Sequence, residues 1–308
     1  MTTPELFSET AQLATPLRIL VVGAGPVGKA FHRALVQAGN DVRSWSRSHG
    51  PLWPEGTDQN AAEVVLLAVR DDAIEQAADY VVSHGAADAR SVVLHCAGGR
   101  KPSAVFQNIT GKVDGTGLFH PLRSFVHRAA SDDNDLAGPT SVAELSGTVF
   151  AICGDAQAVS VGKKLCEGLS GIPLPLAEAQ LSTYHAAAVL VAGHVATLID
   201  TAIQLFSKLG LPKTVGQQAL CALTDSVLRN IEEVGLPQAL TGPIARGDAS
   251  TVSEHLTSLG ALSCQVAEVY RIVAESSLDI AYRKGAASHE ALSAVGELLQ
   301  SRVQPCRV

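Results

Sequence analysis

LRILVVGAGPVGKAFHRALVQAGNDVRSWSRS, residues 17–48, decides the fold of this 308-residue chain. An apolar run, Ile19 to Val22, leads into Gly23, Gly25 and Gly28, and an amphipathic helical pattern and a second strand follow. Strand, glycine turn, helix and strand in that order form the layout of a dinucleotide site. Gly23 permits the tight turn, Gly25 lets backbone approach a pyrophosphate, and Gly28 lets the helix pack close to the sheet. The expected cofactor loop is therefore Gly23, Ala24, Gly25, Pro26, Val27 and Gly28, with the helix N-terminus attracting phosphate charge. Glycine turns of this spacing also occur without a ligand, so it is the flanking strand and helix that give the motif its meaning.

The end of the second strand refines the cofactor. NAD sites place a carboxylate roughly 20 residues after the glycines, where it accepts from the ribose 2′-hydroxyl. Here that region reads Trp45, Ser46, Arg47, Ser48. A carboxylate would repel a 2′-phosphate, whereas two hydroxyls and a guanidinium donate to one. Ser46, Arg47 and Ser48 thus point to NADP; the other reading of Arg47 is a solvated surface arginine.

Composition suits an enzyme-sized cytoplasmic protein. The length allows two domains, and 46% hydrophobic residues supply core for both. A net charge of -7 argues against nucleic acid or an anionic membrane as partner. The opening MTTPELFSETAQLATP lacks the basic and apolar regions of a signal peptide and is expected to be a short disordered or surface lead-in. Six cysteines, 96, 153, 166, 221, 264 and 306, form no C-x-x-C and no metal-ligand spacing, so reduced thiols and no metal are expected.

Strands and helices keep alternating through the first half. Val64 to Val69 and Val92 to Cys96 read as buried strands, and GTGLFHPLRSF, TVFAICGD and IPLPL supply three more candidates. Ligands in such sheets sit beyond the carboxyl ends of the strands, which places Val69, Arg70, His95 and Ala97 along the expected cofactor crevice. The sheet should finish near Leu176.

Beyond that point the pattern is helical. AEAQLSTYHAAAVLVAGHVATLIDTAIQLFSKLG reads as one long helix, apolar nearly all round, which predicts burial on most sides. His194 and Asp200 interrupt it and argue against a membrane span. Further helices are expected from about Lys213 to Val234, Ser250 to Lys284 and Ser288 to Val303, with Thr251 and Glu254 at capping-box spacing. So apolar a helix needs more cover than its own chain supplies, which predicts a homodimer built on the helical half.

Five segments then resemble a known family in order and spacing: HCAGG (95–99), GLFHPLRSF (117–125), GTVFAICGD (147–155), YHAAAVLVAGHVATL (184–198) and ALTGPIARGDASTVSEHL (239–256). They are similar to the Rossmann-like proteins carrying the domain of unknown function DUF2520, from Leu17 to about Tyr270. The resemblance implies an α/β Rossmann domain followed by an all-α domain like that of the 6-phosphogluconate dehydrogenases. The boundaries that follow are a lead-in over 1–16, an NADP-binding domain over 17–176 and a helical substrate and dimerisation domain over 177–308. It also implies an NADPH-dependent reductase related to the ketopantoate and pyrroline-5-carboxylate reductases, the β-hydroxyacid dehydrogenases and the F420-dependent NADP oxidoreductases.

Such a reductase needs a hydride donor, an acid for the substrate heteroatom and a cation for any substrate carboxylate. His120, at a strand end beside Pro121, is a candidate acid, or a structural histidine closing a loop. Arg246, in a glycine- and proline-bounded loop, is the candidate carboxylate clamp, or a loop arginine paired with Asp248. The long helix offers Tyr184, His185 and His194; at about 100° per residue the two histidines face opposite ways, so one straight helix cannot aim both at one pocket. The family more often has Ser-Asn where this chain has Gly193 and His194. Its β-hydroxyacid dehydrogenase relatives carry a lysine acid on this helix, and no lysine occurs between Tyr184 and Leu205. The expected reaction is reduction of a small 2-oxo acid, ketopantoate first, in an interdomain cleft. The alternatives are an imine or pyrroline reductase, whose substrate is already protonated, and a non-catalytic NADP-binding sensor or scaffold.

Overall fold

The computed structural model describes residues 15–50, 52, 60–126 and 145–300. The expected lead-in falls almost wholly outside them. The chain divides into two compact units, one ending at Ala192 and the other starting at Gly193.

The first unit is built on a seven-stranded sheet of order β2-β1-β3-β4-β5-β6-β7. Its strands are β1 (Arg18–Val22), β2 (Asp41–Trp45), β3 (Val64–Leu67), β4 (Val92–His95), β5 (Gly115–Pro121), β6 (Val149–Gly154) and β7 (Ile172–Pro175). β1 to β5 run parallel, β6 pairs antiparallel with β5, and β7 runs parallel to β6. The central strands are apolar on both faces because both faces are covered. Ile19, Val21, Leu66 and Leu94 share a core with Phe31 and Leu35 of α1 (Pro26–Gln37) and with Leu165 of α4 (Ala156–Gly168). Leu20, Val22, Val65, Leu67 and Val93 face Ile74, Ala78 and Val81 of α2 (Ile74–Ser83), and Val105 of α3 (Pro102–Val105) with the following Phe106.

After β1 the chain moves to β2 on one side and then to β3 on the other. The switch point thus lies between β1 and β3, and in open α/β sheets ligands bind beyond the strand ends at such a point.

The second unit is helical. α5 (Leu181–Lys208) runs into it from the first, and α6 (Lys213–Val234), α7 (Ala249–Leu262), α8 (Cys264–Lys284) and α9 (His289–Gln300) follow. Val252, Ala274, Val295 and Leu299 form its core, from α7, α8 and α9. The single helix expected from Ser250 to Lys284 is two. Ser263 leaves helical geometry at φ -168° and ψ 117°, and its side chain accepts from the Val266 amide, the N-cap that serine favours. The Thr251–Glu254 capping box is not the cap of α7 either; Asp248 is, its side chain accepting from the Thr251 amide.

The expected burial of α5 is overturned: Leu181 alone is buried along it. The three-helix core of the unit draws on α7, α8 and α9; along α5 Leu190 and Val191 are 61% and 69% exposed, while Val195, Ile199, Leu205 and Phe206 are half-buried. By length and composition residues 178–208 would suffice to cross a bilayer. Such a span would have to withdraw Leu181 from its core with Leu118, Ala151 and Cys153. The cysteines also depart from expectation: Cys96, Cys153, Cys166 and Cys221 are free, but Cys264 is disulfide-bonded.

Candidate active site

The three glycines divide the labour as their spacing predicts. Gly23 has φ +128°, and a Cβ there would lie 2.2 Å from the Ala68 carbonyl oxygen, so only glycine fits between β1 and β3. A Cβ on Gly28 would meet the Gly23 carbonyl oxygen at 2.2 Å, which is how α1 closes onto the turn. Around Gly25 there is open space within 4 Å, as backbone that must approach a phosphate requires. Gly25 is also the N-cap of α1 and Pro26 stands in its first turn, leaving the helix start with no side-chain cap of its own.

In front of this turn lies a cavity of about 600 Å³ lined by Gly23, Ala24, Gly25, Ser46, Arg47, Ser48, Val69 and Arg70. All eight are among the expected cofactor residues, and the volume falls in the range of small-ligand pockets. Pro26, Val27 and Gly28 do not line it; they carry the helix behind the turn. His95 and Ala97 are corrected. His95 is fully buried, its ring 5.4 Å from Phe106, with Nδ1 accepting from the Ala97 amide at 3.2 Å. Burial, then the charges of Arg100 and His120, push its pKa down to about 3. It shapes the turn after β4 from beneath.

Sequence reading missed Trp45, Gln76 and Tyr80, which also line it. Trp45 is the last residue of β2, one position before the serines, and its indole stacks on Tyr80 at 4.9 Å and 4°. The α2 contribution had a signal: Ala73, Gln76, Ala77 and Tyr80 recur at helical spacing on one face.

A second cluster gathers at the carboxyl ends of β4 and β5. Glu178 accepts from the amide of Ser103 at 2.8 Å and its hydroxyl at 2.6 Å, which ties the approach to α5 onto α3. Leu181 then seats the first turn of α5 in the core. Tyr184 and His185, three and four residues on, share its face and turn toward the sheet. The Tyr184 hydroxyl and His120 Nδ1 are 2.7 Å apart, and the His120 and His185 rings meet edge-on at 6.2 Å. Both imidazoles rest on the glycine turn after β4: a Cβ on Gly98 would lie 2.9 Å from His185 Nδ1 and 3.0 Å from His120 Nε2. His185 Nδ1 is buried and has no hydrogen-bond partner among the described residues. Three of the five expected catalytic residues are therefore assembled in one place.

His120 and Tyr184 are poised in their neutral forms. Burial and the nearby His185 charge push the His120 pKa down to about 4. Burial pushes Tyr184 up to about 12. At neutral pH the phenol keeps its proton and the imidazole is uncharged, so a proton can pass between them along a hydrogen bond already formed.

His194 and Arg246 belong to the helical unit and are exposed there. Arg246 ends a 3-10 turn, Ile244–Arg246, held by the left-handed Gly247 at φ +67°, where a Cβ would strike Ala291 at 2.6 Å. The pairing of Arg246 with Asp248 gives way to another partner. Asp248 accepts from the Thr251 amide at 3.1 Å and hydroxyl at 2.7 Å. Those bonds, more than the Arg246 charge, hold the Asp248 carboxyl below its ordinary range. Among the described residues no group of three or more His, Cys, Asp or Glu side chains is placed to hold a metal ion.

Comparison with family models gives one match, to the domain of unknown function DUF2520, over residues 148–277. That segment starts at β6 within the sheet and ends in α8, so it includes Tyr184, His185, His194 and Arg246 but not His120 or the glycine turn. No curated protein matches the sequence.

Solved structures share the fold. A protein of Thermotoga maritima is 20% identical with a TM-score of 0.65, over 87% of this chain and 99% of its own. A proposed NADP oxidoreductase of Bacteroides fragilis is 19% identical with a TM-score of 0.62, over 85% and 98%. Pyrroline carboxylate reductase of Plasmodium falciparum, with NADP bound, is 13% identical with a TM-score of 0.55, over 91% and 99%. At these identities the likeness establishes a Rossmann-like α/β sheet followed by helices.

Proposed function

We propose that this protein is an NADPH-dependent oxidoreductase that reduces a small 2-oxo acid, with ketopantoate the first candidate. The observation that carries the reading is the Tyr184–His120 hydrogen bond at 2.7 Å, set against a glycine turn in the same sheet unit as the cavity in front of the Gly23–Gly25 turn. The names of the solved relatives, among them an NADP-bound reductase, support the cofactor. The Gly23–Gly25 turn and the start of α1 would hold the pyrophosphate, and Ser46, Arg47 and Ser48 the 2′-phosphate. NADPH supplies a hydride to the carbonyl carbon.

The remaining chemistry belongs to the chain. Hydride addition leaves an alkoxide, which takes the Nε2 proton of neutral His120 while Nδ1 receives the Tyr184 hydroxyl proton. Solvent then returns a proton to the tyrosinate, and charge balances at each step. A phenol near pKa 12 cannot protonate a ketone outright but readily protonates an alkoxide, so the pair suits carbonyl reduction. Arg246, with no partner among the hydrogen bonds described above, is our candidate for the substrate carboxylate.

A second reading, reduction of a cyclic imine, is favoured by the likeness to pyrroline carboxylate reductases. A protonated imine needs no acid, which leaves the Tyr184–His120 pair without a task. NADPH oxidation measured across small 2-oxo acids and cyclic imines separates the two. Turnover with oxo acids alone supports the main reading, turnover with imines alone replaces it, and none with either leaves an NADP-binding sensor.

We also propose a homodimer through the helical unit. Leu190 and Val191 on α5 and Leu223, Leu228 and Val234 on α6 are more than half exposed in one chain, apolar side chains that a second copy would cover.

A further inference from the structure

We infer that Trp45 is the positioning residue for cofactor choice: its indole N–H fixes the loop that presents Ser46, Arg47 and Ser48, and so sets the preference for a 2′-phosphate. This rests on the NADP reading of the cavity. The indole is buried at 9% exposure and lies at the end of β2, where the chain leaves the sheet. Its Nε1 donates to the Gly50 carbonyl at 3.0 Å and closes a five-residue span across the Arg47–His49 3-10 turn. Inside that span the Ser46 and Ser48 hydroxyls are 2.9 Å apart, so both polar tips gather at one point of the cavity wall.

The far end of the span is equally constrained. Gly50 adopts φ +84° and ψ -156°, a conformation almost confined to glycine, and this directs its carbonyl back to the indole. The indole in turn cannot swing out, because its face stacks on Tyr80 of α2 at 4.9 Å, and Tyr80 stacks on His84 at 3.9 Å. The serines and arginine sit on a loop, and a loop contributes to selectivity only in proportion to how completely it is held. The ring stack anchors the indole, the indole anchors the Gly50 carbonyl, and the donors for a 2′-phosphate stay preorganised between them. NADH brings no 2′-phosphate to those donors. The ratio of NADPH to NADH affinity should therefore respond to the loss of the Trp45–Gly50 hydrogen bond.

The test is titration of the full-length protein with NADPH and NADH, in wild type and in Trp45→Phe, Gly50→Ala and Arg47→Ala. Phenylalanine keeps a ring for Tyr80 but removes the donor; Gly50→Ala disturbs the acceptor from the solvent side and leaves the buried tryptophan in place. One hydrogen bond removed should lower the NADPH/NADH affinity ratio by about 3- to 10-fold in Trp45→Phe and Gly50→Ala, with NADH affinity in Gly50→Ala, which lies outside the cavity lining, within about twofold of wild type. If wild type prefers NADPH and Arg47→Ala abolishes the preference, but both Trp45→Phe and Gly50→Ala retain it, the positioning role is refuted and the cofactor assignment stands. If wild type binds the two cofactors equally, the cofactor assignment fails and the positioning role with it. Should Trp45→Phe be unstable, Gly50→Ala decides alone.

Discussion

Tyr184→Phe removes one oxygen atom and asks whether the hydroxyl acts in chemistry or only in folding. Structurally the hydroxyl makes a 2.7 Å bond to His120 Nδ1. A neutral hydrogen bond of this kind contributes about 0.5–1.5 kcal/mol to stability, so its loss in a chain of this size lowers Tm by only about 1–6 °C. As the source of the proton in a general-acid relay, the same hydroxyl is worth about 100- to 10,000-fold in turnover. The two roles thus differ by orders of magnitude in kcat. Stopped-flow NADPH oxidation at saturating substrate should show at least a hundredfold loss in Tyr184→Phe, with the Kd for NADPH unchanged, because Tyr184 lies outside the cavity. The proton inventory offers an independent check. The His120 imidazole, identified in NMR spectra by its absence from His120→Gln, should titrate near pH 4, well below 6.5. Turnover above half the wild-type value in Tyr184→Phe, or a His120 titration near 6.5, would refute the relay.

Arg246→Lys keeps the charge but loses the planar fork, so KM for an oxo-acid substrate should rise at least tenfold in steady-state assays, whereas a purely solvated arginine would leave it unmoved. His95 and His120 are held neutral, with folded pKa values of about 3 and about 4. The unfolded chain therefore binds their protons first, and the stability they contribute is present above about pH 6.5 and lost as pH falls toward 4. Urea midpoints should drop between pH 6.5 and 4, more shallowly in His120→Gln; identical slopes in the two proteins would contradict this. Light scattering at micromolar concentration should give twice the 32.0 kDa chain mass, and a clean monomer would remove the dimer proposal. Gly98→Ala places a methyl 2.9 Å from His185 Nδ1 and 3.0 Å from His120 Nε2, and should reduce kcat without altering NADPH affinity.

Much of the first unit was legible because its signals are local. The apolar run before Gly23, the φ > 0 demand at that turn and the hydroxyl-guanidinium run after β2 are properties of contiguous residues, and the structure puts them around one cavity. Helix boundaries such as Lys213–Val234 followed from equally local proline and glycine signals. Hydrophobicity, by contrast, predicted that α5 needs cover but not whether its own chain provides it. Burial is a property of neighbours, and the core of the helical unit is drawn from α7, α8 and α9.

The chemistry of the site divides the same way. His120, Tyr184, His185, His194 and Arg246 were recognisable as residue types able to move protons or hold a carboxylate. The pattern of Leu181, Tyr184 and His185 at i, i+3 and i+4 even put the last two on the face that the first one buries. What no spacing could supply was the meeting of His120 with a helix that starts 61 positions later, or the burial that lowers one pKa and raises another. Nor could it show that His95, apparently at the crevice edge, lies beneath the sheet surface against Phe106. The sequence by itself determined the strand-turn-helix order and the donors for a phosphate, because these depend on backbone preference and side-chain type within a few residues. Only the tertiary structure decided which side chains become partners and in which protonation state, because distance and desolvation are set by segments far apart in the chain.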